Sequence, residues 1–350
     1  MMHLHHFSAA AAPDGNMASF VSVIIPNRNR AATLEKCLEA ALASRYERFE
    51  VIVADDASGD ESAAVAARFP CRLVRLEAHG GAARARNAGA RVARGEILFF
   101  TDADCLLPSD GLSVAVQALA RAGPDAAVGG TYTALPYDQR FFSVFQSVFI
   151  HYSETRNPRC PDYLATHALA MPAQLFARSG GFREDFLPIL EDVEFSHRLR
   201  RMGCRLVMEP ALQVQHIFGF TLRRSLANAV FKAKWWTVYS IGNRDLFADS
   251  GTASLGLKLN GAVYCAGLIL LALCLASGST LALGVLAATF ALNLYVNRGL
   301  LRAFLDHGGA GFALAASAYY LLLYPLAVSA GAGAGVATHL AAALGPKERR

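Results

Sequence analysis

Charge is what this 350-residue chain has least of: 17% of its residues are Asp, Glu, Lys or Arg and 54% are apolar, giving a mean hydropathy of +0.30. A soluble globular chain carries roughly 25% charged residues, so disordered, collagen-like and charged-tail architectures are excluded. Paired cysteines are missing too. The seven (Cys37, Cys71, Cys105, Cys160, Cys204, Cys265, Cys274) are odd in number and scattered, with no CxxC, which predicts neither a disulfide framework nor a zinc site and points to a reducing compartment. Residues 1–16 lack a basic segment and an apolar run of ~7–15 residues, so no secretory signal is expected, residues 1–18 read as a disordered tail, and Met17 is a second candidate start.

The missing charge is missing from one end. After Leu257 only six basic groups (Lys258, Arg298, Arg302, Lys347, Arg349, Arg350) and two acids (Asp306, Glu348) occur, so most of the formal +5 belongs to an apolar tail. Nucleic acid is therefore not an expected partner, because its binding needs Lys and Arg clustered on the folded body. A bilayer is. Apolar runs at about 259–276, 281–297 and 312–335 approach the ~17–25 residues that cross a membrane, and predict three spans within residues 257–345. Residues 221–256 mix Arg223, Arg224, Lys232 and Lys234 with Trp235, Trp236 and Tyr239, as helices lying in the lipid interface do. The positive-inside rule puts these flanks, Arg298 and Arg302 in the cytoplasm, so an inner or plasma membrane protein with a cytoplasmic body is expected. Three spans leave Lys347, Arg349 and Arg350 on the far side, against that rule.

Residues 19–220 form the body. Apolar β-branched runs at 21–26, 49–54, 71–76 and 97–101 alternate with helical patterns at 31–44, 60–69 and 82–94, which predicts an α/β fold with a mostly parallel sheet. Further on, a helix is expected over 111–122, a strand over 127–133, an irregular aromatic stretch over 137–163, a helix over 191–202 and two strands at 205–208 and 212–216. Ligands of such sheets bind beyond the carboxyl ends of the strands.

Four polar groups fall there. Asp55-Asp56 follows one strand and can accept from a nucleoside, or serve as turn and capping residues. Asp102-Ala-Asp104 follows another, and carboxylates so close favour a shared hard divalent cation over an empty acidic turn. His79-Gly80-Gly81 enters a helix bearing Arg84 and Arg86, an approach to phosphate or a plain tight turn; it has neither dinucleotide-binding nor P-loop spacing. Glu191-Asp192 opens a helix after Gly180-Gly181-Phe182, where acids either complement the dipole or take a proton from an acceptor hydroxyl.

In this order and spacing, Ser22-Val-Ile-Ile-Pro-Asn-Arg-Asn-Arg30, Val53-Ala-Asp-Asp-Ala-Ser58, Ala85-Arg-Asn-Ala-Gly89, Thr101-Asp-Ala-Asp104 and Gly181-Phe182 with Glu191-Asp192 resemble the family 2 glycosyltransferases. The resemblance covers about residues 20–220. It implies a GT-A fold with a Rossmann-like mixed sheet, a nucleotide-sugar donor, with a UDP-sugar the expected one, a divalent metal (Mg or Mn) and inversion at the anomeric carbon. Residue by residue, it implies that Pro26, Asn27, Asp55 and Asp56 hold the nucleoside, that Arg86 lies near base and phosphates, and that Asp102 sits on the ribose or metal side. Asp104 becomes the metal ligand, with His216 as an added one, and Asp192 the general base beside Glu191.

Two departures shape the expected acceptor. Ala165-Thr-His-Ala-Leu-Ala-Met-Pro172 stands where the family commonly has Gly-x-Asn, and Phe231-Lys-Ala-Lys-Trp-Trp236 lacks the glutamine of processive synthases. One or a few sugars moved to a membrane lipid or lipid-linked glycan are therefore expected, a glycolipid or cell-envelope activity of hexosyltransferase type. The alternatives are a sugar nucleotidyltransferase and a catalytically degenerate membrane scaffold.

Overall fold

The computed structural model describes residues 18–344; most of the expected tail at 1–18 and the basic group Lys347, Arg349 and Arg350 lie outside them. The strands are β1 (Val21–Asn27), β2 (Phe49–Asp55), β3 (Arg72–Arg75), β4 (Ile97–Phe100), β5 (Cys105–Leu106), β6 (Ala126–Tyr132), β7 (Leu169–Pro172) and β8 (Arg205–His216). The helices are α1 (Ala31–Leu42), α2 (Ser62–Ala66), α3 (Gly81–Val92), α4 (Gly111–Ala122), α5 (Phe141–Thr155), α6 (Ala173–Ser179), α7 (Glu191–Arg201), α8 (Leu222–Asn243), α9 (Leu255–Ser277), α10 (Thr280–Ala318) and α11 (Tyr324–Leu344).

One eight-stranded sheet runs β3-β2-β1-β4-β7-β6-β8-β5. The first four strands are parallel and β7 is antiparallel to both its neighbours, so the sheet is mixed. Parallel register sets Asn27 beside Asp55 and Ile24 beside Phe100, which brings the carboxyl ends of β1, β2 and β4 to one edge. The order reverses between β1 and β4, the crevice where such sheets take ligands. Strands buried on both faces read as continuous apolar runs: Ile24, Ile25, Ile52, Val53, Phe99 and Phe100 are all fully buried.

Three expected boundaries differ. The stretch 137–163 is not irregular, because α5 fills much of it, with Phe145, Val148 and Phe149 buried against the sheet and the C-terminal helices. The two strands expected at 205–208 and 212–216 are one, β8, whose register jumps across Glu209–Leu212 at Pro210. The segment 221–256 holds one helix, α8, then turns up to the start of α9 at Leu255.

After the sheet come long apolar helices. Two helical runs, Leu255–Ser277 at mean hydropathy 2.1 and Thr280–Leu344 at 1.6, are long and apolar enough to cross a bilayer. Only 11% of the first one's apolar window is buried, and Ile269, Leu275 and Leu281 are 64%, 81% and 77% exposed. Gly309, at φ 73°, breaks the second run, which therefore continues about ten residues beyond the expected end at 297 before turning. A polar ladder joins these helices. Asn293 Nδ2 donates to Asn260 Oδ1 (2.8 Å), Asn297 Nδ2 to Asn293 Oδ1 (2.9 Å) and Tyr320 Oη to Asn297 Oδ1 (2.9 Å). Asn260 Nδ2 also donates to the Tyr320 carbonyl (2.7 Å), in the π-turn Tyr319–Leu323 whose shifted bonding frees backbone acceptors.

Helix α8 joins the two parts. A Cβ on Gly331 or Gly335 of α11 would stand 2.4 Å from the Val230 carbonyl oxygen or 2.5 Å from that of Lys234. Small residues four apart are thus what let α11 lie directly on α8.

Candidate functional site

The acids at the strand ends do different things. Asp55 faces inward: it accepts from Asn27 Nδ2 (2.9 Å) and the Ser58 amide (3.2 Å), and is not part of the cleft wall. Asp56 lines the cleft and accepts from the Gly80 and Gly81 amides (2.7 and 2.9 Å) and His79 Nδ1 (2.6 Å). The glycine pair is therefore bound to a carboxylate of its own chain. Pro26 and Asn27 line the same wall.

Arg86 on α3 is buried and spans the two halves of the site. Its Nη2 donates to Asp102 Oδ1 (2.8 Å) and its Nη1 to Glu191 Oε1 (2.6 Å), so β4 and α7 are tied through one guanidinium. Burial alone pushes the Asp102 carboxyl up, but Arg86, His167 and His216 outweigh it and hold the group below the usual carboxylate range.

Asn87, next along α3, fixes the turn that leads to α7. Its side chain donates to the Phe182 carbonyl (2.8 Å) and accepts from the Phe182 amide (2.9 Å). Gly181 sits at φ 71°, and a Cβ there would meet Asn87 Oδ1 at 2.7 Å. Gly181→Ala should lower stability by about 1–3 kcal/mol through the strained backbone and the displaced amide; thermal unfolding that matches the unsubstituted protein would contradict this.

Leu190, also left-handed at φ 75°, turns the chain into α7 and presents Glu191 and Asp192 at its first turn. Burial, then repulsion from Glu191, push Asp192 up to about 6, against the opposing pull of Arg86 and His167. Such a carboxyl changes state close to neutral pH, as proton-transfer groups do.

Asp104 and His216 meet because β5 pairs antiparallel with β8, setting Cys105 opposite His216. Asp104 Oδ1 lies 3.4 Å from His216 Nε2, and Arg30 approaches the other carboxylate oxygen at 3.5 Å. The donor set suits a divalent ion of the Mg²⁺ or Mn²⁺ kind: an oxygen ligand and an imidazole converge within 4.8 Å, and His216 stacks on Phe218 (3.9 Å), which fixes its ring. The neighbouring Cys105 thiol is held protonated by burial and by Asp102 and Asp104, which leaves it a poor ligand.

These residues surround a continuous hollow. A cleft of about 860 Å³ is lined by Asn27, Asp56, Arg86, Asp102, Asp104 and His216. Through Arg86, Asp102 and Glu191 it adjoins a chamber of about 240 Å³ that holds Asp192. The carboxylates that come from distant parts of the chain thus share one site, apart from Asp55, which supports it from behind. Glu154, His167 and Lys232 also wall the chamber, and none of them has a role in the site on sequence grounds, Lys232 reading only as part of the interfacial helix. A departure from the family pattern at 165–172 was the one signal for His167. Glu154, hidden in α5, gave none.

Residues 22–175 match the family model for glycosyl transferase family 2. Glycosyltransferase GlyG of Streptococcus pneumoniae is 30% identical over 131 residues, 36% of this chain and 44% of that one. An uncharacterized protein of Mycobacterium tuberculosis is 32% identical over 201 residues, 51% of this chain and 61% of its own. The chain thus spans about half the length of these curated relatives. Among solved structures, the mannosyltransferase PcManGT from Pyrobaculum calidifontis, in complex with GDP-Man and Mn²⁺, is similar at a TM-score of 0.61 and 26% identity, over 89% of this chain and 90% of that one. The mixed sheet has the GT-A arrangement, and residues 22–175, which supply β1 to β7 and much of the cleft they border, match glycosyl transferase family 2.

Proposed function

We propose that the chain moves a sugar from a nucleotide-sugar donor, in the first instance a UDP-sugar, to a membrane lipid or lipid-linked glycan, with inversion. The observation that carries this reading is the joining of two hollows at Arg86, one bordered by Asp104 and His216, the other by a carboxyl that titrates near 6.

The donor's nucleoside would lie along Asn27 and Asp56, kept in shape by Asp55 behind them. Asp104 and His216 would hold a divalent cation, which when bound supplies positive charge to the departing diphosphate. Arg86 adds fixed charge on the same side and holds Asp102 and Glu191 in place. Asp192 would take the proton of the acceptor hydroxyl. That oxygen bonds to the anomeric carbon as the bond from that carbon to the diphosphate oxygen breaks, one displacement that inverts the centre. The exposed apolar surface of α9 and α10 supports an integral membrane position, with the sheet domain on the cytoplasmic face by the positive-inside rule.

The test is product analysis on the full chain given membrane lipid extract, UDP-sugars and Mn²⁺ or Mg²⁺. Nucleoside diphosphate and glycosylated lipid are the expected products; pyrophosphate would identify a nucleotidyltransferase instead, and nucleotide binding without turnover a scaffold. Asp104→Ala should weaken Mn²⁺ binding, followed as free Mn²⁺ by electron paramagnetic resonance, by at least tenfold, and His216→Ala by less. Unchanged Mn²⁺ affinity in Asp104→Ala would remove this carboxylate from the metal site.

A further inference from the structure

A third hollow continues the other two. Between α8, α9 and α11 runs an apolar groove of about 370 Å³, walled by Phe149, Leu257, Ala262, Val328 and Ala332 and bordered by Phe247, which is 81% exposed. It meets the chamber of Asp192 at Lys232, Trp236 and Thr252. Lys232 borders the groove, the chamber and the donor cleft alike. Among the described residues its ammonium makes no ion pair within 4.0 Å. Nor is it screened by distance from solvent alone: burial disfavours its charge, and Asp192, Glu154 and Asp102 only partly restore it. A cation so placed, at the inner end of an apolar channel, is complementary to an anion attached to an apolar chain.

The chamber beyond Lys232 is polar. Glu154 accepts from Thr131 Oγ1 (2.7 Å) and lies 3.4 Å from His167 Nε2, a buried nitrogen with no hydrogen-bond partner. His167 is 5% exposed and stacked on Tyr132 at 4.0 Å, so its ring is fixed. A bare phosphate needs no such chamber; a hydroxyl-bearing group does. Resting on the lipid-acceptor reading above, we infer that the acceptor is a phosphate-bearing lipid whose apolar chain lies in the α8–α9–α11 groove, whose phosphate pairs with Lys232, and whose polyol or sugar headgroup lies between His167 and Asp192.

Trp235 and Trp236 are the chain's two tryptophans, and Trp236 borders the groove, so fluorescence quenching reports occupancy. The full chain in zwitterionic nanodiscs is titrated with 11-bromoundecyl phosphoglycerol and with the matching bromoundecyl glycerol ether, which lacks only the phosphate. Saturable quenching at least tenfold tighter for the phosphodiester is expected. Lys232→Met should erase that preference, Lys232→Arg should retain most of it, and Ala332→Phe should remove saturable quenching by both probes. Thermal unfolding of each variant, followed by far-UV circular dichroism, reports whether it has folded. Equal affinity for the two probes in the unsubstituted protein, or a preference that survives Lys232→Met, would overturn the phosphate assignment while leaving a lipid acceptor standing. Sugar transfer to a water-soluble acceptor with no saturable quenching by either probe would overturn the lipid reading itself.

Discussion

Asp192→Asn is expected to lower kcat by about 10²–10⁴-fold, the range a positioned general base contributes, while nucleotide affinity stays close to its starting value. The amide keeps the size of the carboxyl and its hydrogen bond from the Val193 amide but cannot take a proton. A companion signature lies in the pH profile. The base must be ionised to act, and the folded-state carboxyl titrates at about 6, with Glu191, Arg86, His167 and Lys232 facing it. Log kcat/KM should therefore climb by one per pH unit below about 6 and level off above it, so that at pH 5 the rate is about a tenth of its plateau. In Asp192→Asn that limb should vanish. Steady-state kinetics from pH 4.5 to 8 check both, and an Asn variant with more than a tenth of normal kcat would assign the proton elsewhere.

How far this site could be read from sequence depends on whether a feature is local. The strands β1, β2 and β4 are buried on both faces and so appear as nearly continuous apolar runs, and the acids that follow β2 and β4 sit at the sheet edge by chain connectivity alone. Which of two adjacent acids faces the cleft was not legible. Asp55 turns toward Asn27, its register partner on β1, and Asp56 turns toward the loop at 79–81, a choice set by cross-strand pairing rather than by the Asp-Asp sequence.

Helix α5 was missed for a related reason. It is buried on nearly every side because it lies between the sheet and the C-terminal helices, and with Ser143, Gln146, Ser147 and Glu154 buried alongside its phenylalanines no clean apolar stripe separates an inner from an outer face. The four-residue β7 is too short to show a period. The placing of His167 and Lys232 on one chamber needs the packing of α8 on α11, which depends on Gly331 and Gly335, far along the chain from the helix's own charges. Those glycines were visible as composition, but not as a contact.

Arg86 joins the readable and the unreadable halves, and its replacement should have the largest structural effect. Arg86→Met leaves Asp102 and Glu191 without their shared cation in a site where Asp102 is 29% and Glu191 14% exposed. Removing one partner of a buried ion pair costs about 3–5 kcal/mol, which for a domain of this size lowers Tm by on the order of 10 °C. The pH dependence follows from the direction of the Asp102 shift. Its folded-state pKa lies below the ordinary value, so the stability it contributes is present above the unfolded pKa of roughly 3.9 and is lost as pH falls through the folded one. The Tm gap between Arg86→Met and the unsubstituted chain should thus hold its full width from pH 7 down to about 4 and shrink only as pH falls below that. Arg86→Lys keeps the charge but cannot bind two carboxylates through one planar fork, so it should recover part of the Tm while kcat stays about 10²–10³-fold down. If the Lys variant regained activity along with stability, Arg86 would be acting by its charge alone, and the guanidinium link between β4 and α7 would not matter to transfer.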